Sequence, residues 1–281
     1  MRMDLVDVFA NGAQSGNPLA VVRGDINLSD AQMLTLTRWL GFSETTFLLP
    51  PTDPAADYRA RIFYPAGELP FAGHPTLGSA FAWLAAGGEP RHPGMIVQEC
   101  GIGLVEVRRE VGSLSFKAPP LVREGALSEA DRAEAIRIAG VREEAVVAAV
   151  HASNGPPWKL LHLASLDDLL AAEPVARASV PTDIGLIAPR SDGGRVTWEL
   201  RAFFADATGR LCEDPVTGSL NAAAAQYLFG AGLAEGDYVA TQGRKVGADG
   251  RVLVSKDGRG DLWIGGVVRA VALGARLTPL A

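Results

Sequence analysis

Two loops that each open an apolar helix carry the residue types that could do chemistry: Phe71-Ala72-Gly73-His74-Pro75-Thr76, and Glu213-Asp214-Pro215-Val216-Thr217-Gly218-Ser219. Glycine lets a backbone come close to a ligand, and free N–H groups at a helix N-terminus bind anions with the macrodipole behind them. Two such ends converging would hold one small carboxylate. His74 is the one histidine set in a Gly/Pro loop at a helix start, placed to donate to a substrate oxygen or to handle a proton, and Thr217 and Ser219 add hydroxyls at the second start. Glu44, in Leu40-Gly-Phe-Ser-Glu44-Thr-Thr-Phe-Leu-Leu49, is a carboxylate in an apolar, strand-like run. Burial there would raise its pKa toward the range useful for a group that acts first as general base and then as acid. Plainer readings stand beside these: Glu44 paired with an arginine such as Arg61 or Arg201, Asp214 as a helix cap, and both loops as ordinary helix starts.

The elements that must position these residues are written twice. Arg61-Ile-Phe-Tyr-Pro-Ala-Gly overlays Arg201-Ala-Phe-Phe-Ala-Asp-Ala at an offset of 140 residues that grows to about 145 at the helix starts. Each copy reads as strand, Gly/Pro loop and helix. The helices, from Thr76 to Gly87-Gly88 and from Leu220 to Gly230, are rich in small residues and stopped by glycine, as helices inside a larger structure would be. Short β-branched or alternating runs follow each, Ile96-Val-Gln-Glu-Cys100 and Ser113-Leu-Ser-Phe-Lys117 against Tyr238-Val-Ala-Thr-Gln242 and Leu262-Trp-Ile-Gly265, the pattern of antiparallel hairpins. Asn11-Gly12 with Asn17-Pro18 is echoed by Asn154-Gly155-Pro156-Pro157. Two surface helices begin at the capping residues Ser29 and Ser128.

The expected class is therefore α+β: two pseudo-symmetric halves, each a mostly antiparallel β barrel or half-barrel around a central helix. The first covers 1–118, completed by a C-terminal strand at 270–281, and the second 119–269, with the site expected in the cleft between them.

Other classes are disfavoured. The 281 residues carry 26 Lys and Arg against 32 Asp and Glu, a net charge of -6 that argues against nucleic acid and anionic membranes as partners. The two cysteines, Cys100 and Cys212, make neither a disulfide framework nor a zinc site, and the N-terminus reads as no secretion signal, so a cytoplasmic location is expected. No run of 18 apolar residues is present to span a bilayer. Phosphate-loop, dinucleotide and metal spacings are missing, and Thr217-Gly-Ser219-Leu-Asn221 is not a nucleophile elbow. Proton transfer without a cofactor is the chemistry these exclusions leave.

Asn17-Pro18-Leu-Ala-Val-Val, Gly41-Phe-Ser-Glu44-Thr-Thr-Phe, Phe71-Ala-Gly73-His74-Pro75-Thr-Leu-Gly and Glu213-Asp214-Pro-Val-Thr217-Gly218-Ser219 together resemble, in order and over nearly the whole chain, the motifs of the PhzF-like isomerases of phenazine biosynthesis. The resemblance implies a diaminopimelate epimerase-like fold, a homodimer, and isomerisation of a dihydro-3-hydroxyanthranilate type of substrate by a cofactor-independent proton shift. It makes Glu44 the acid/base, with His74 and Asp214 assisting, and Asn17, Gly73, Thr217, Gly218 and Ser219 binding the substrate. Epimerases of that fold are expected to use two cysteines at the helix starts, where this chain has Gly73-His74 and Gly218-Ser219, so a thiol-pair epimerase is disfavoured. One departure stands out: where the family carries a Gly-Arg-Pro-Ser-like stretch after Thr241-Gln242-Gly243, this chain has Val246-Gly247-Ala248-Asp249-Gly250. Two competing functions remain, a non-catalytic binding module on the same scaffold and an epimerase using His74 or Ser219 in place of thiols.

Overall fold

The computed structural model describes residues 1–190 and 196–278. Its contacts divide the chain into two compact units, Met1–Lys117 with Gly265–Ala281, and Ala118–Ile264. The first unit contains β1 (Arg2–Val8), β2 (Asn17–Arg23), α1 (Asp30–Leu40), β3 (Thr45–Leu49), β4 (Tyr58–Tyr64), β5 (Gly67–Leu69), α2 (Gly73–Ala85), β6 (Met95–Cys100), β7 (Gly103–Glu110) and β8 (Ser113–Lys117). The second contains β9 (Arg123–Ala126), α3 (Glu129–Ala139), β10 (Val146–Ser153), β11 (Lys159–Leu163), α4 (Leu166–Ala171), β12 (Asp183–Pro189), β13 (Val196–Ala205), β14 (Leu211–Asp214), α5 (Gly218–Gly230), β15 (Tyr238–Gln242) and β16 (Gly250–Lys256). After β17 (Leu262–Gly266), the C-terminal strand expected at 270–281 is β18 (Val268–Arg276), which returns to pair antiparallel with β1; residues 279–281 lie outside the described part.

Strand pairing makes the duplication explicit. In the first unit β1 runs antiparallel to β2, β2 parallel to β3, β3 antiparallel to β4, and β4 carries β5 antiparallel and β6 parallel before β6 turns antiparallel into β7. The second unit repeats that series of directions from β10 to β16, with β14 in the place of β5 and β15 in the place of β6. Even β18 on β1 has its counterpart in β9 on β10.

Each sheet wraps a helix with no polar face. Nine of the thirteen residues of α2 are buried, and the helix touches β1, β2, β3, β4, β6, β7, β8 and β18. A helix apolar all round belongs inside a core rather than on its surface. Close approach depends on missing side chains: a Cβ at Gly78 of α2 would come within 2.4 Å of Leu19 on β2, and one at Gly185 of β12 within 2.3 Å of Leu220 on α5. The surface helices behave differently. Ser29 and Gln32 form a reciprocal capping box on α1, Ser128 caps α3, and both helices end on a left-handed glycine, Gly41 or Gly140. α3 and α4 cover the outer face of the second sheet through Ala135, Ile138 and Leu169 against Leu161, Leu186 and Phe203. No helix among the described residues is long and apolar enough to cross a membrane.

The repeated arginines are structural. Arg61 pairs with Glu68 in a two-pronged contact, Nε to Oε1 at 2.8 Å and Nη2 to Oε2 at 2.5 Å, and also reaches Asp30. Arg201, its counterpart, grips Glu213 in the same way at 3.0 and 2.8 Å and donates to the carbonyls of Leu169 and Ala172. These pairs tie β4 to β5 and its counterpart β13 to β14, the short strand that leads into the central helix of each unit.

Candidate active site

In the first unit the loop into α2 brings four of the sequence-nominated positions together, Asn17, Glu44, Gly73 and His74. Ala72 is the N-cap and offers no side-chain acceptor, so the opening N–H groups of Gly73 and His74 are not capped from within. Glu44 stands one residue before β3, and its Oε2 lies 3.6 Å from His74 Nδ1, the two side chains being 16% and 5% exposed. Burial drives the His74 imidazole down to about 3, against the upward pull of the Pro18 carbonyl. The contact with Glu44 is therefore between a carboxyl group and a neutral imidazole at neutral pH, not an ion pair. Asn17, fully buried, begins β2 opposite Val8 and immediately precedes Pro18, which places the Asn17-Pro18 stretch at the same histidine. Neither Arg61 nor Arg201 takes Glu44 as its partner; both are committed to Glu68 and Glu213.

In the second unit the start of α5 is built from Asp214 and Thr217. Thr217, not Asp214, is the N-cap residue, and its side chain makes no cap bond because Oγ1 donates to Asp214 Oδ2 at 2.6 Å and accepts from Gln242 Nε2 at 2.9 Å. The reading of Asp214 as a cap is thus replaced by a carboxylate held three residues upstream. The N–H groups of Gly218 and Ser219 open α5 without a side-chain cap, as those of Gly73 and His74 open α2. Ser219 Oγ accepts from Trp158 Nε1 at 3.1 Å, and its carbonyl accepts from Asn154 Nδ2 at 2.9 Å. With its oxygen held by the indole, the Ser219 hydroxyl keeps its own proton for a ligand.

Several supporting side chains were not nominated from sequence. Gln98 on β6 donates to Thr76 Oγ1 at 3.0 Å and accepts from Tyr58 OH at 3.1 Å. Gln242 at the end of β15 accepts from Thr217 N and from Asn221 Nδ2, both at 3.0 Å. Thr76 and Asn221 are each the fourth residue of their helices, so each unit anchors its central helix start by a glutamine from the strand that follows. Asn154 and Trp158 do the same from the loop before β11. Only Asn221, a lone amide in the run Leu220-Asn-Ala-Ala-Ala-Ala, carried a local signal of its role.

The stretch that departs from the Gly-Arg-Pro-Ser pattern packs on this anchor. Gly250 pairs with Gln242 in register, and a Cβ there would come within 2.2 Å of Val216. Arg244, three residues before Gly247, reaches the buried Glu199 at 3.5 Å. The two cysteines stand elsewhere, Cys100 at the end of β6 and Cys212 within β14, and burial pushes both thiols up. Among the described residues no group of three His, Cys, Asp or Glu side chains could hold a metal ion.

Comparison with known proteins identifies relatives of the whole chain. The family model described as phenazine biosynthesis-like protein matches residues 6–264. The trans-2,3-dihydro-3-hydroxyanthranilate isomerase of Pseudomonas fluorescens is 33% identical over 262 residues, covering 92% of this chain and 91% of that one. Antisense-enhancing sequence 1 of Schizosaccharomyces pombe is 39% identical over 178 residues, 60% of each, so the chain spans under two thirds of that relative's length. A structure from Pseudomonas aeruginosa described as a predicted epimerase superposes with a TM-score of 0.77 at 29% identity, over 99% of both chains.

Proposed function

The chain belongs to the phenazine biosynthesis-like family and is an isomerase, and from that premise we propose that it moves a proton on a small, cyclic carboxylate without a cofactor, with Glu44 as the acid/base. The observation that carries this reading is the Glu44 carboxyl set 3.6 Å from a neutral, buried His74 at the uncapped start of α2. A single group that removes a proton from one carbon and returns it to another must be accessible on one side and desolvated on the other, which a side chain 16% exposed satisfies. The neutral imidazole brings no positive charge to the side of the carboxyl group. As the proton leaves carbon, negative charge spreads into the conjugated carboxylate of the substrate. The N–H groups of Gly73 and His74 at the start of α2 are donors suited to meet it, and the start of α5 offers the same kind of donors within the second unit, the N–H groups of Gly218 and Ser219 with the Ser219 hydroxyl. Asp214 holds Thr217 and so keeps the α5 donors aimed.

The similarity to the Pseudomonas fluorescens enzyme supports a dihydro-3-hydroxyanthranilate type of substrate, and the Ala248-Asp249 stretch beside Gln242 is where this chain would differ in what it accepts. The test is proton NMR in D2O with a panel of small cyclic and amino-acid carboxylates that includes a dihydro-3-hydroxyanthranilate. Deuterium entering at carbon is expected for a ring carboxylate. Binding without any exchange would turn the reading toward a non-catalytic module, and exchange at the α-carbon of an amino acid with loss of optical activity toward an epimerase.

Replacing Ser219 with alanine removes one donor hydroxyl and leaves the backbone N–H groups in place. The expected loss in kcat/KM is about tenfold, the worth of one hydrogen bond to a developing charge, with an unchanged pH profile. A changed pH profile in this variant would move the proton-handling role toward Ser219.

A further inference from the structure

The register of the duplication identifies a partner for Glu44 that local sequence hides. Phe63 of the repeated Arg-x-Phe motif pairs with Thr45, and Phe203 of the second copy pairs with Ile184. Across the parallel pair, Ala20 faces Thr45 and Lys159 faces Ile184. Glu44, one residue before Thr45, therefore corresponds to Asp183, one residue before Ile184. The duplication has left an acid at the head of β3 and of its counterpart β12.

Asp183 does not repeat the setting of Glu44, because it opens on a cavity of its own. The space, about 250 Å³, lies wholly in the second unit, between α3 and the neighbouring ends of β9 to β12. Its charged and titratable lining is Arg123 on β9, His151 on β10, Lys159 on β11, Asp183 on β12, and Asp131 and Glu134 on α3. Ile138 and Ile184 supply an apolar wall. Most of that charge is settled internally: Lys159 Nζ lies 2.6 Å from Asp131, and Glu134 holds Arg137 at 2.8 Å. His151 is kept neutral by burial and by the Arg123 charge. Arg123 and Asp183 make no ion pair with any described residue, and burial alone acts on Asp183, pushing its carboxyl up to about 6. A cavity with one uncommitted cation and one uncommitted, largely desolvated acid is matched by a ligand that carries both opposite charges. The volume is below the range of ~300–1,000 Å³ usual for drug-sized ligands, so the ligand is small.

We propose that this cavity is a second ligand site, which takes a small zwitterion of the amino-acid type with its ammonium group on Asp183 and its carboxylate on Arg123. The site is separate from the isomerase reading and does not depend on it. The experiment is an NMR titration of the isotope-labelled full chain with L-alanine and L-serine, beside ethylammonium and acetate as half-ligands. Perturbation is expected at His151, Ser153 and Ile184, with affinity in the millimolar range, and each half-ligand should bind at least about tenfold more weakly. Asp183→Asn, nearly the same shape, and Arg123→Gln should each weaken the amino acid by about tenfold or more, whereas Ser219→Ala at the start of α5 should leave it unchanged. Affinity should also fall as pH drops through about 6, where Asp183 gains its proton. Three results would overturn the proposal: no perturbation at the cavity, perturbation confined to the starts of α2 and α5, or equal binding by the wild type and Asp183→Asn.

Discussion

Glu44→Gln is expected to reduce turnover by about 10³-fold while the melting temperature and circular dichroism stay those of the wild type. Glutamine keeps the size of the side chain and one acceptor oxygen, so it can occupy the same space 3.6 Å from His74 Nδ1. What it loses is the only property the proposed reaction needs from this position, a proton that can be taken up and given back. Substrate binding, which in the proposed reaction rests on hydrogen-bond donors and not on this carboxyl group, should change little, so the loss should appear in kcat and leave KM nearly constant. Deuterium incorporation measured in D2O on the wild type and the variant decides the matter. Exchange within about tenfold of the wild type would take Glu44 out of the mechanism and leave His74 or Ser219 as the proton carrier.

Much of the architecture could be read from the chain because the duplication preserved residues with a structural duty. Arg61 and Arg201 head identical positions and hold equivalent carboxylates, and Phe63 and Phe203 follow them at the same spacing, so the offset of 140 was visible without any structure. The helix starts were legible for a chemical reason, since Gly73-His74 and Gly218-Ser219 interrupt otherwise apolar runs. The anchors were not. Trp158 reaches Ser219 across 61 residues and Gln98 reaches Thr76 across 22, and a glutamine or tryptophan at a strand end has no local pattern that reports such a contact. The relation of Asp183 to Glu44 was equally hidden, because Asp183-Ile-Gly-Leu-Ile and Glu44-Thr-Thr-Phe-Leu share no residue at any aligned position and only the strand register aligns them. Similarly, Asp214 looked like a cap by its place before a helix, but Thr217 stands at the cap and needs Asp214 to hold it.

His74 and Asp183 should leave opposite marks on stability as pH falls. The unfolded chain protonates His74 near 6.5, whereas the native imidazole resists down to about 3, so this residue's contribution is present above 6.5 and is lost progressively below it. Asp183 has the reverse sign: its carboxyl is raised from 3.8 to about 6, so its contribution is present below 3.8 and is lost as pH rises through 6. Between pH 4 and 6 the two trends cancel in the wild type, at about 1.4 kcal/mol per pH unit each. Single substitutions expose them. Between pH 7 and 4, Asp183→Asn should lose about 3 kcal/mol more stability than the wild type, and His74→Gln about 3 kcal/mol less, by urea unfolding at each pH. Parallel pH profiles for wild type and both variants would mean that neither group is desolvated in the native state. The sign at Asp183 also bears on its role. An acid that weakens the fold at neutral pH, where its charge has no partner, is better explained by a cation that arrives from solution than by any duty in holding the fold together. An added zwitterion should then raise the stability of the wild type at pH 7 and leave that of Asp183→Asn where it was.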